Sequence, residues 1–390
     1  MNRYFSSKMD VFSGEKGLFA IFGISSELER QGKKIIHMEI GKPDFDTPNV
    51  IKEGAIDAIK EGVVQYAPPG GLYELKEAIT GWTKKRYGLD YSSDEILITV
   101  GASEALHCIW SAFLDKDDEV LIPSPYYGSY GYQVVCAGTK FVQVPVLKDG
   151  IIKYEMEEFE SRVTDRTKLI LINSPSNPTG YVMSDEELQA IADFAIKHDL
   201  LVVSDECYDH FLFEGCFKSI ASLPGMKDRT LVINSTSKTF AMTGWRVGYV
   251  MAHATFIETL QNIHEHLAIC PTSFAQSGAV KAYTEEIEET KFMLEEYKNR
   301  RNYLVQALNK MEKISFYEPQ GAFYIFVNVS KTGQHGADFC LGLLNKKGVA
   351  LASGECFGES WKDYIRISYC CSMEDIKDAM NLMEEYISEI

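Results

Sequence analysis

Short runs of β-branched and other apolar residues alternate with longer segments of helical period through most of this chain. We predict seven strands: EILITV (95–100), EVLIPS (119–124), KFVQVPV (140–146), KLILIN (168–173), LLVVSD (200–205), TLVIN (230–234) and VGYVMA (247–252). Strands that alternate with helices form parallel sheets, because a parallel neighbour needs a crossover connection. The pattern therefore predicts an α/β fold, with a large domain built on a mostly parallel seven-stranded sheet flanked by helices.

The last quarter of the chain has a different pattern. A charged helical stretch (284–312) precedes strand-like AFYIFVNV (322–329) and YIRISYC (364–370), and an amphipathic helix ends the chain. Earlier helices are predicted after Ser103 and over 185–198, behind a Ser184 cap. Because 390 residues exceed one typical core, we predict three parts. These are an N-terminal arm with part of the small domain (1–44), a large domain (45–284) and a small α+β C-terminal domain (285–390).

Charge and composition exclude several classes of protein. The 39 Lys and Arg against 56 Asp and Glu give a net charge of -17, which disfavours nucleic acid as a partner. No apolar run reaches membrane-spanning length, and the N-terminus lacks the apolar core of a secretion signal. The nine cysteines contain no CxxC pair, which favours a reduced cytoplasm and no metal site. We interpret the histidines of HEH (264–266) as structural, because residues two apart on a helix diverge.

Polar residues follow four of the predicted strands. They are Gly101-Ala102-Ser103, Asn177 in NPTG, Asp205 with Tyr208 close behind, and the run from Ser235 to Lys238. Ligands of open α/β sheets bind beyond the carboxyl ends of the strands, so these side chains are expected around one crevice. Backbone N–H groups at the start of a helix suit a phosphate, and Ser235, Ser237 and Arg246 could complete its cradle.

A phosphate cradle, a lysine, a carboxylate and a phenol together suit pyridoxal 5'-phosphate. Its aldehyde forms a Schiff base with a lysine, and its ring withdraws electrons when the ring nitrogen is protonated. Asp205 could hold that proton, Asn177 and Tyr208 could bind the ring oxygen, and Tyr127 could stack on the ring. Taken singly, most of these residues could instead be caps, half-buried aromatics or surface charges.

Four motifs in one order carry a resemblance: SPSNPTG (174–180), SDECYDHF (204–211), STSKTFAMTGWRVGY (235–249) and YIRISY (364–369). From about residue 18 onward, the chain resembles a fold type I aminotransferase of class I/II that depends on pyridoxal phosphate. The resemblance implies Lys238 as the Schiff-base lysine, Asp205 on the ring nitrogen, Asn177 and Tyr208 on the ring oxygen, Tyr127 as the stacking residue, and Ala102, Ser103, Ser235, Ser237 and Arg246 around the phosphate. It further implies Arg366 and Gly41 at the substrate α-carboxylate, with Asn177 also among the substrate-binding residues, and Tyr66 at the cofactor phosphate of the other subunit in a homodimer.

The implied reaction moves an amino group from an amino acid to a 2-oxo acid. Lys238, with its pKa lowered by the cofactor and by Arg246, would act as the general base on the Cα proton. Three alternatives stay open: a β/γ-lyase or synthase on the same fold, a non-catalytic binding module, and a pseudoenzyme. The binding module is disfavoured because only about forty residues precede the large domain, and the pseudoenzyme because no expected polar position is missing.

The preferred side chain of the amino-acid donor is predicted from one position at which this chain departs from the family pattern. Members of the bacterial-type subgroup that favour aspartate carry a lysine where this chain has Ser103, and a hydroxyl cannot compensate for desolvating a second carboxylate. By resemblance, Phe19, Phe22 and Ile24 would line the mouth of the pocket. We therefore predict neutral donors, such as alanine, methionine or aromatic amino acids, with 2-oxoglutarate or pyruvate as acceptor.

Overall fold

The computed structural model describes residues 4, 6, 8, 9 and 18–390. Its strands are β1 (Ile36–His37), β2 (Ile96–Thr99), β3 (Glu119–Ser124), β4 (Lys140–Pro145), β5 (Leu147–Lys148), β6 (Ile151–Ile152), β7 (Thr167–Asn173), β8 (Leu201–Asp205), β9 (Thr230–Ser235), β10 (Gly248–Met251), β11 (Ser315–Phe316), β12 (Tyr324–Asn328), β13 (Val349–Ala350), β14 (Ala352–Ser353) and β15 (Tyr364–Ser368). Its α-helices are α1 (Leu18–Arg30), α2 (Asn49–Lys60), α3 (Tyr73–Tyr87), α4 (Ala102–Phe113), α5 (Ser129–Ala137), α6 (Met156–Glu160), α7 (Asp185–Lys197), α8 (Thr236–Thr239), α9 (Ala254–Ala268), α10 (Ser273–Thr284), α11 (Glu288–Leu308), α12 (Gly336–Lys347) and α13 (Met373–Ser388).

The seven predicted strands form one seven-stranded sheet in the order β2-β10-β9-β8-β7-β3-β4. Only β10 within this sheet runs antiparallel to its neighbours, β2 and β9, and the other pairs are parallel. Strands β2 and β9 are buried along their whole length, as expected for strands covered by helices on both faces. The predicted α/β fold with a mostly parallel sheet is confirmed.

Helix boundaries follow local signals in one case and tertiary packing in another. Helix α7 begins behind Ser184, whose hydroxyl accepts from the Glu187 N–H at 3.2 Å in a capping box, as predicted. The predicted helix 284–312 was wrong at both ends, because α10 ends at Thr284 and α11 runs only from Glu288 to Leu308. Between them Ile287 is buried in the apolar cluster that also holds Ile51, so burial of this side chain interrupts the charged helical pattern.

A four-stranded antiparallel sheet, β11-β12-β15-β14, forms the second architectural unit. Helices α11, α12 and α13 contribute side chains to its core, and Ile21, Ile36 and Met38 from the N-terminal segment join the same cluster. Strand β1 also pairs in parallel with β13. Most of the predicted arm before residue 18 lies outside the described residues, and the proposed boundaries at 44/45 and 284/285 stay predictions.

The two HEH histidines each have a partner. His264 is buried and its Nδ1 lies 2.6 Å from Glu104 Oε1, while His266 Nδ1 lies 2.7 Å from the Asn262 carbonyl. In the described part of the chain, no group of three or more His, Cys, Asp or Glu residues could hold a metal ion. None of the helices in that part combines the length and apolar character needed to cross a membrane.

Candidate active site

One cavity of about 480 Å³ opens at the carboxyl ends of the parallel strands. Residues from all four predicted strand ends line it, together with residues of the N-terminal segment and of β12 and β15. Its lining is Ile40, Gly41, Lys42, Ala102, Ser103, Leu106, Tyr127, Tyr130, Asn177, Asp205, Cys207, Tyr208, Ser235, Ser237, Lys238, Thr243, Arg246, Tyr324 and Arg366. The volume lies within the roughly 300–1,000 Å³ of ordinary small-molecule sites.

One end of the cavity is formed by the start of α4 and by Arg246. Gly101 precedes α4 with φ +80°, and a Cβ atom there would lie 2.5 Å from Arg246 Nη2, so only glycine allows this approach. Arg246 itself has φ +56°, and its Nη1 donates to the Thr243 carbonyl at 3.0 Å. Because helix N-terminal N–H groups and a guanidinium both favour anions, this end suits a phosphate, with Ser103, Ser235 and Ser237 beside it.

Glu104 holds the loop that leads into α4. One of its carboxylate oxygens accepts from the Val100 N–H at 2.5 Å and the other lies 2.6 Å from His264 Nδ1. These contacts join the end of β2 to helix α9. Glu104 was not predicted from the sequence, because a glutamate in the first turn of a helix is usually a surface charge that stabilises the helix dipole.

Lys238 projects into the cavity from α8, the short helix that follows β9. Its Nζ donates to the Gly41 carbonyl at 2.7 Å. Withdrawal from bulk water lowers the pKa of the Lys238 ammonium, and Arg366 lowers it further. Arg246 was predicted to lower this pKa, but burial is the largest cause of the shift.

Asp205 ends β8 and is buried. The Tyr130 hydroxyl donates to Oδ2 at 2.6 Å, and the Cys207 N–H donates to Oδ1 at 3.1 Å. Burial raises the pKa of the Asp205 carboxyl, and these two donors oppose the rise by stabilising the anion. The carboxylate is thus fixed in place, with lone pairs left for one further donor from the cavity.

Two tyrosines meet at the centre of the site. The hydroxyls of Tyr208 and Tyr324 are 2.8 Å apart, and both residues are buried. Tyr127, the predicted stacking residue, lines the same cavity and packs edge-to-face on Tyr130 with ring centroids 5.4 Å apart. Neither Tyr130 nor Tyr324 was predicted as a site residue. Tyr324 stands in an apolar run, where aromatic side chains usually belong to the core, and nothing in the sequence distinguishes Tyr130 from the other tyrosines of segment 126–132.

Arg366 lies on β15 and is only 1% exposed. Its Nη1 donates to Asn177 Oδ1 at 2.9 Å and its Nη2 donates to the Glu39 carbonyl. Its guanidinium carbon lies 4.5 Å from the centre of the Tyr324 ring. Because the Asn177 oxygen is engaged, the Asn177 amide N–H groups face away from Arg366 and are available to an acceptor. A buried guanidinium held by neutral acceptors keeps its full charge for a carboxylate ligand.

Gly41 is required by close approach. A Cβ atom at this position would overlap the Tyr324 hydroxyl. The chain therefore passes directly against Tyr324 and presents the Gly41 carbonyl to Lys238. This placement brings the N-terminal segment, β12 and α8 together at one point.

Three predicted site residues lie outside the cavity lining. Tyr66 is 79% exposed and Ile24 is 38% exposed. Gly101 has no side chain, and its backbone packs against the Arg246 guanidinium. Phe22 is likewise exposed and packs on His37, whereas the Phe19 side chain lies outside the described residues. Phe22 and Ile24 do not line the cavity, and their proposed place at the pocket mouth stays a prediction.

The cavity also contains a cation that the sequence analysis did not single out. Lys42 follows Gly41, is exposed, and lines the cavity. Its neighbours Asp44 and Asp46 are bound to Arg300 and Lys52, respectively. Within the residues that the structure describes, Lys42 has no ion-pair partner.

Comparisons with known proteins agree with this geometry. Residues 33–382 match the family described as aminotransferase class I and II. An aspartate aminotransferase of Pyrococcus abyssi is 42% identical, with 92% of each chain covered. Aromatic-amino-acid aminotransferase 2 of Thermococcus litoralis is 40% identical over 91% of this chain and 92% of its own. A crystal structure of an aromatic aminotransferase from Pyrococcus horikoshii OT3 superimposes with a TM-score of 0.89 at 41% identity, covering 94% of this chain and 99% of that one.

These names do not support the predicted preference for neutral donors as a whole, because they include aspartate as well as aromatic enzymes at almost equal identity. They do support the aminotransferase activity over the lyase alternative. The chain belongs to the class I and II aminotransferases, and it is a transferase that depends on pyridoxal 5'-phosphate.

Proposed function

We propose that this enzyme moves the amino group of an aromatic amino acid to a 2-oxo acid, with Lys238 as the reacting amine. The observation that carries the proposal is the arrangement around Lys238. Its amine lies in one cavity with the proposed phosphate site at the start of α4 and with the buried guanidinium of Arg366.

The residues present fit pyridoxal phosphate. Gly101 leaves room for Arg246 at the helix N-terminus, and Asp205 is a carboxylate held by two donors with capacity for a third. The proposed contacts are Ala102, Ser103, Ser235, Ser237 and Arg246 for the phosphate, Asp205 for the ring nitrogen, Asn177 and Tyr208 for the ring oxygen, and Tyr127 for the ring face. When bound, the cofactor supplies an aldehyde that joins an amine and a protonated ring that withdraws electrons from the substrate Cα.

Lys238 is proposed to carry the proton. Because burial lowers the pKa of its ammonium, the amine loses its proton more readily than an exposed lysine does. The free Nζ could then accept the Cα proton and hold it within the cavity. The Gly41 carbonyl, 2.7 Å away, orients this amine before substrate binds.

Arg366 is proposed to bind the substrate α-carboxylate. Two parallel hydrogen bonds from one guanidinium fix both the position and the rotation of a carboxylate. With the α-carboxylate fixed, the Cα–H bond can be held facing Lys238. Gly41 would add a backbone contact to the same carboxylate.

Aromatic donors are supported by the remaining lining of the cavity. Ile40, Leu106 and Tyr127 offer apolar or aromatic surface, and Ser103 carries no charge. An aromatic side chain gains from burial against such surface, whereas a second carboxylate would need a cation to offset its desolvation.

Aspartate is the second candidate donor, and one observation favours it. Lys42 is an unpaired cation among the described residues, and it lines the same cavity. Its ammonium could bind a distal carboxylate at the mouth. The 42% identical relative is named an aspartate aminotransferase, which agrees with this candidate.

A homodimer and a cytoplasmic location complete the proposal. Tyr66, Val64, Leu267 and Ile269 expose apolar side chains, each about half exposed or more. Segment 63–66 is tied to α10, because the Val63 carbonyl accepts from Ser273 Oγ at 3.1 Å. An exposed apolar group of this kind is typical of a subunit interface, and Tyr66 would reach the partner's cofactor phosphate from it.

A donor panel tests the proposal. The purified enzyme, supplied with cofactor and 2-oxoglutarate, is assayed for kcat/KM with phenylalanine, tyrosine, alanine, methionine and aspartate, because this ratio reports relative transition-state stabilisation. We expect an aromatic donor to be the best. A kcat/KM for aspartate above that of every aromatic donor would refute the proposed donor class. If Lys42→Gln then lost this preference for aspartate, Lys42 would be the residue that binds the distal carboxylate. Ammonia instead of a stoichiometric amino-acid product would indicate a lyase.

A further inference from the structure

Tyr324 forms a hydroxyl pair with Tyr208 at the centre of the cavity. The two oxygens are 2.8 Å apart, and Tyr208 is 6% exposed and Tyr324 is 1% exposed. Among the described residues, neither hydroxyl has another hydrogen-bond partner. The free capacity of the pair therefore faces the cavity, which both residues line.

The direction of this hydrogen bond follows from proton counting. A tyrosine hydroxyl has one proton to donate. If Tyr208 donates to the ring oxygen of the cofactor, it has no proton left for Tyr324, so Tyr324 must be the donor within the pair. We infer that Tyr324 is a positioning residue, which donates to Tyr208 and thereby keeps the Tyr208 proton directed at the cofactor. This inference rests on the proposed role of Tyr208.

The ring of Tyr324 has a separate task from its hydroxyl. The Arg366 guanidinium carbon lies 4.5 Å from the ring centroid, and this contact with the ring face needs no hydroxyl. Replacement by phenylalanine therefore keeps the surface beneath Arg366 and removes only the donor to Tyr208. Removal of the hydroxyl oxygen therefore separates the two functions of Tyr324.

The expected effect is on the proton of the Lys238–cofactor linkage. A strong donor to the ring oxygen stabilises the oxygen as an anion and weakens its hold on the linkage proton, which lowers the pKa of the linkage nitrogen. Donation from Tyr324 strengthens Tyr208 as a donor, because chained hydrogen bonds polarise one another. Removing the Tyr324 hydroxyl should therefore raise that pKa.

The test is a pH titration of the bound cofactor's absorbance in the holoenzyme. Tyr324→Phe should raise the midpoint by about 0.1–0.7 pH unit, as expected when a charge-assisted hydrogen bond loses about 10–30% of its strength. The KM for the amino-acid donor should change less than twofold, since the ring beneath Arg366 remains. A purely structural role would disturb both quantities together.

A double-mutant cycle makes the test specific. In a Tyr208→Phe background, Tyr324→Phe should leave the midpoint where Tyr208→Phe alone places it, because the donor that Tyr324 supports is gone. Tyr91→Phe is the matched control, since the Tyr91 hydroxyl is buried without a partner in the described part of the chain and does not line the cavity. An unchanged midpoint in Tyr324→Phe, or a shift of equal size in the Tyr208→Phe background, overturns the inference. Failure of Lys238 to form any absorbing linkage would instead refute the proposed function.

Discussion

Replacement of Arg366 by lysine tests how the enzyme recognises its substrate. The guanidinium is held by Asn177 and by the Glu39 carbonyl and lies against the Tyr324 ring. A lysine ammonium retains the charge but cannot make two parallel hydrogen bonds to one carboxylate. It also leaves one of the two buried acceptors without its donor, because its single nitrogen cannot reach both while it binds substrate.

The magnitude follows from the removal of one hydrogen bond between the enzyme and the substrate carboxylate. One hydrogen bond to a charged group contributes about 1.5–3 kcal/mol, which corresponds to a rise of about 10- to 150-fold in the apparent dissociation constant of the donor. The proposed cofactor contacts of Asp205 and Arg246 are unchanged by the substitution, and only the contact of Asn177, which Arg366 holds, is affected. Cofactor affinity is therefore expected to change less than threefold.

The assay compares two titrations on the same variant. Donor KM is measured at saturating acceptor, and cofactor affinity is measured by absorbance on the protein freed of cofactor. Arg301→Lys is the matched control, because Arg301 is also buried and binds a carboxylate, Glu318, at 2.6 Å outside the cavity. A donor KM within twofold of the unaltered enzyme would refute the reasoning, as would a loss of cofactor affinity as large as the loss of donor affinity.

Two further predictions concern Lys238 and His37. Borohydride reduction followed by peptide mapping should label Lys238 and no other lysine. In Lys238→Ala the label should be absent and kcat should fall about 10²–10⁴-fold. A label on another lysine would contradict the assignment. His37 lies 2.8 Å from the buried carboxylate of Glu39, and hydrogen bonding to Glu39 raises the pKa of its imidazole to about 9. Because the folded-state pKa of His37 is raised, its contribution to the free energy of unfolding should be complete below pH 6.5 and lost as pH rises through about 9. The melting temperatures of His37→Gln and of the unaltered protein should therefore converge above about pH 9. A constant difference between them from about pH 6 to pH 10 would contradict this prediction.

The large sheet could be predicted from sequence because its strands carry their signal locally. A central strand such as β9 carries the apolar run 231–233 and ends in Asn234 and Ser235, so both its position and its functional end are visible in the sequence. The start of α11 could not be predicted in this way. It depends on the burial of Ile287 in a cluster assembled from distant parts of the chain, and no local cap marks the break.

Within the site, charged residues at strand ends were easier to predict than their partners. Lys238 and Asp205 follow apolar runs, where a charge is conspicuous. Tyr130 and Tyr324 could not be separated from core aromatics, because what distinguishes them is a hydroxyl placed 2.6 Å from Asp205 or 2.8 Å from Tyr208 by elements far apart in sequence. Lys42 was missed for the opposite reason, since an exposed lysine after a turn glycine is usually only a solvated charge.

The contacts around Gly41 show why both architectural units are needed for the chemistry. Lys238 lies on α8, directly after β9 of the large sheet, Tyr324 lies on β12 of the small sheet, and the N-terminal segment contacts both at Gly41. Any side chain at Gly41 would displace the Tyr324 hydroxyl, and a displaced chain would withdraw the carbonyl that orients the Lys238 amine. A change in the relative position of the two sheets would therefore alter the amine and the Tyr208–Tyr324 pair together. Arg366 on β15, which is proposed to bind the substrate, packs against the Tyr324 ring. Proton transfer and carboxylate binding therefore both depend on the position of Tyr324.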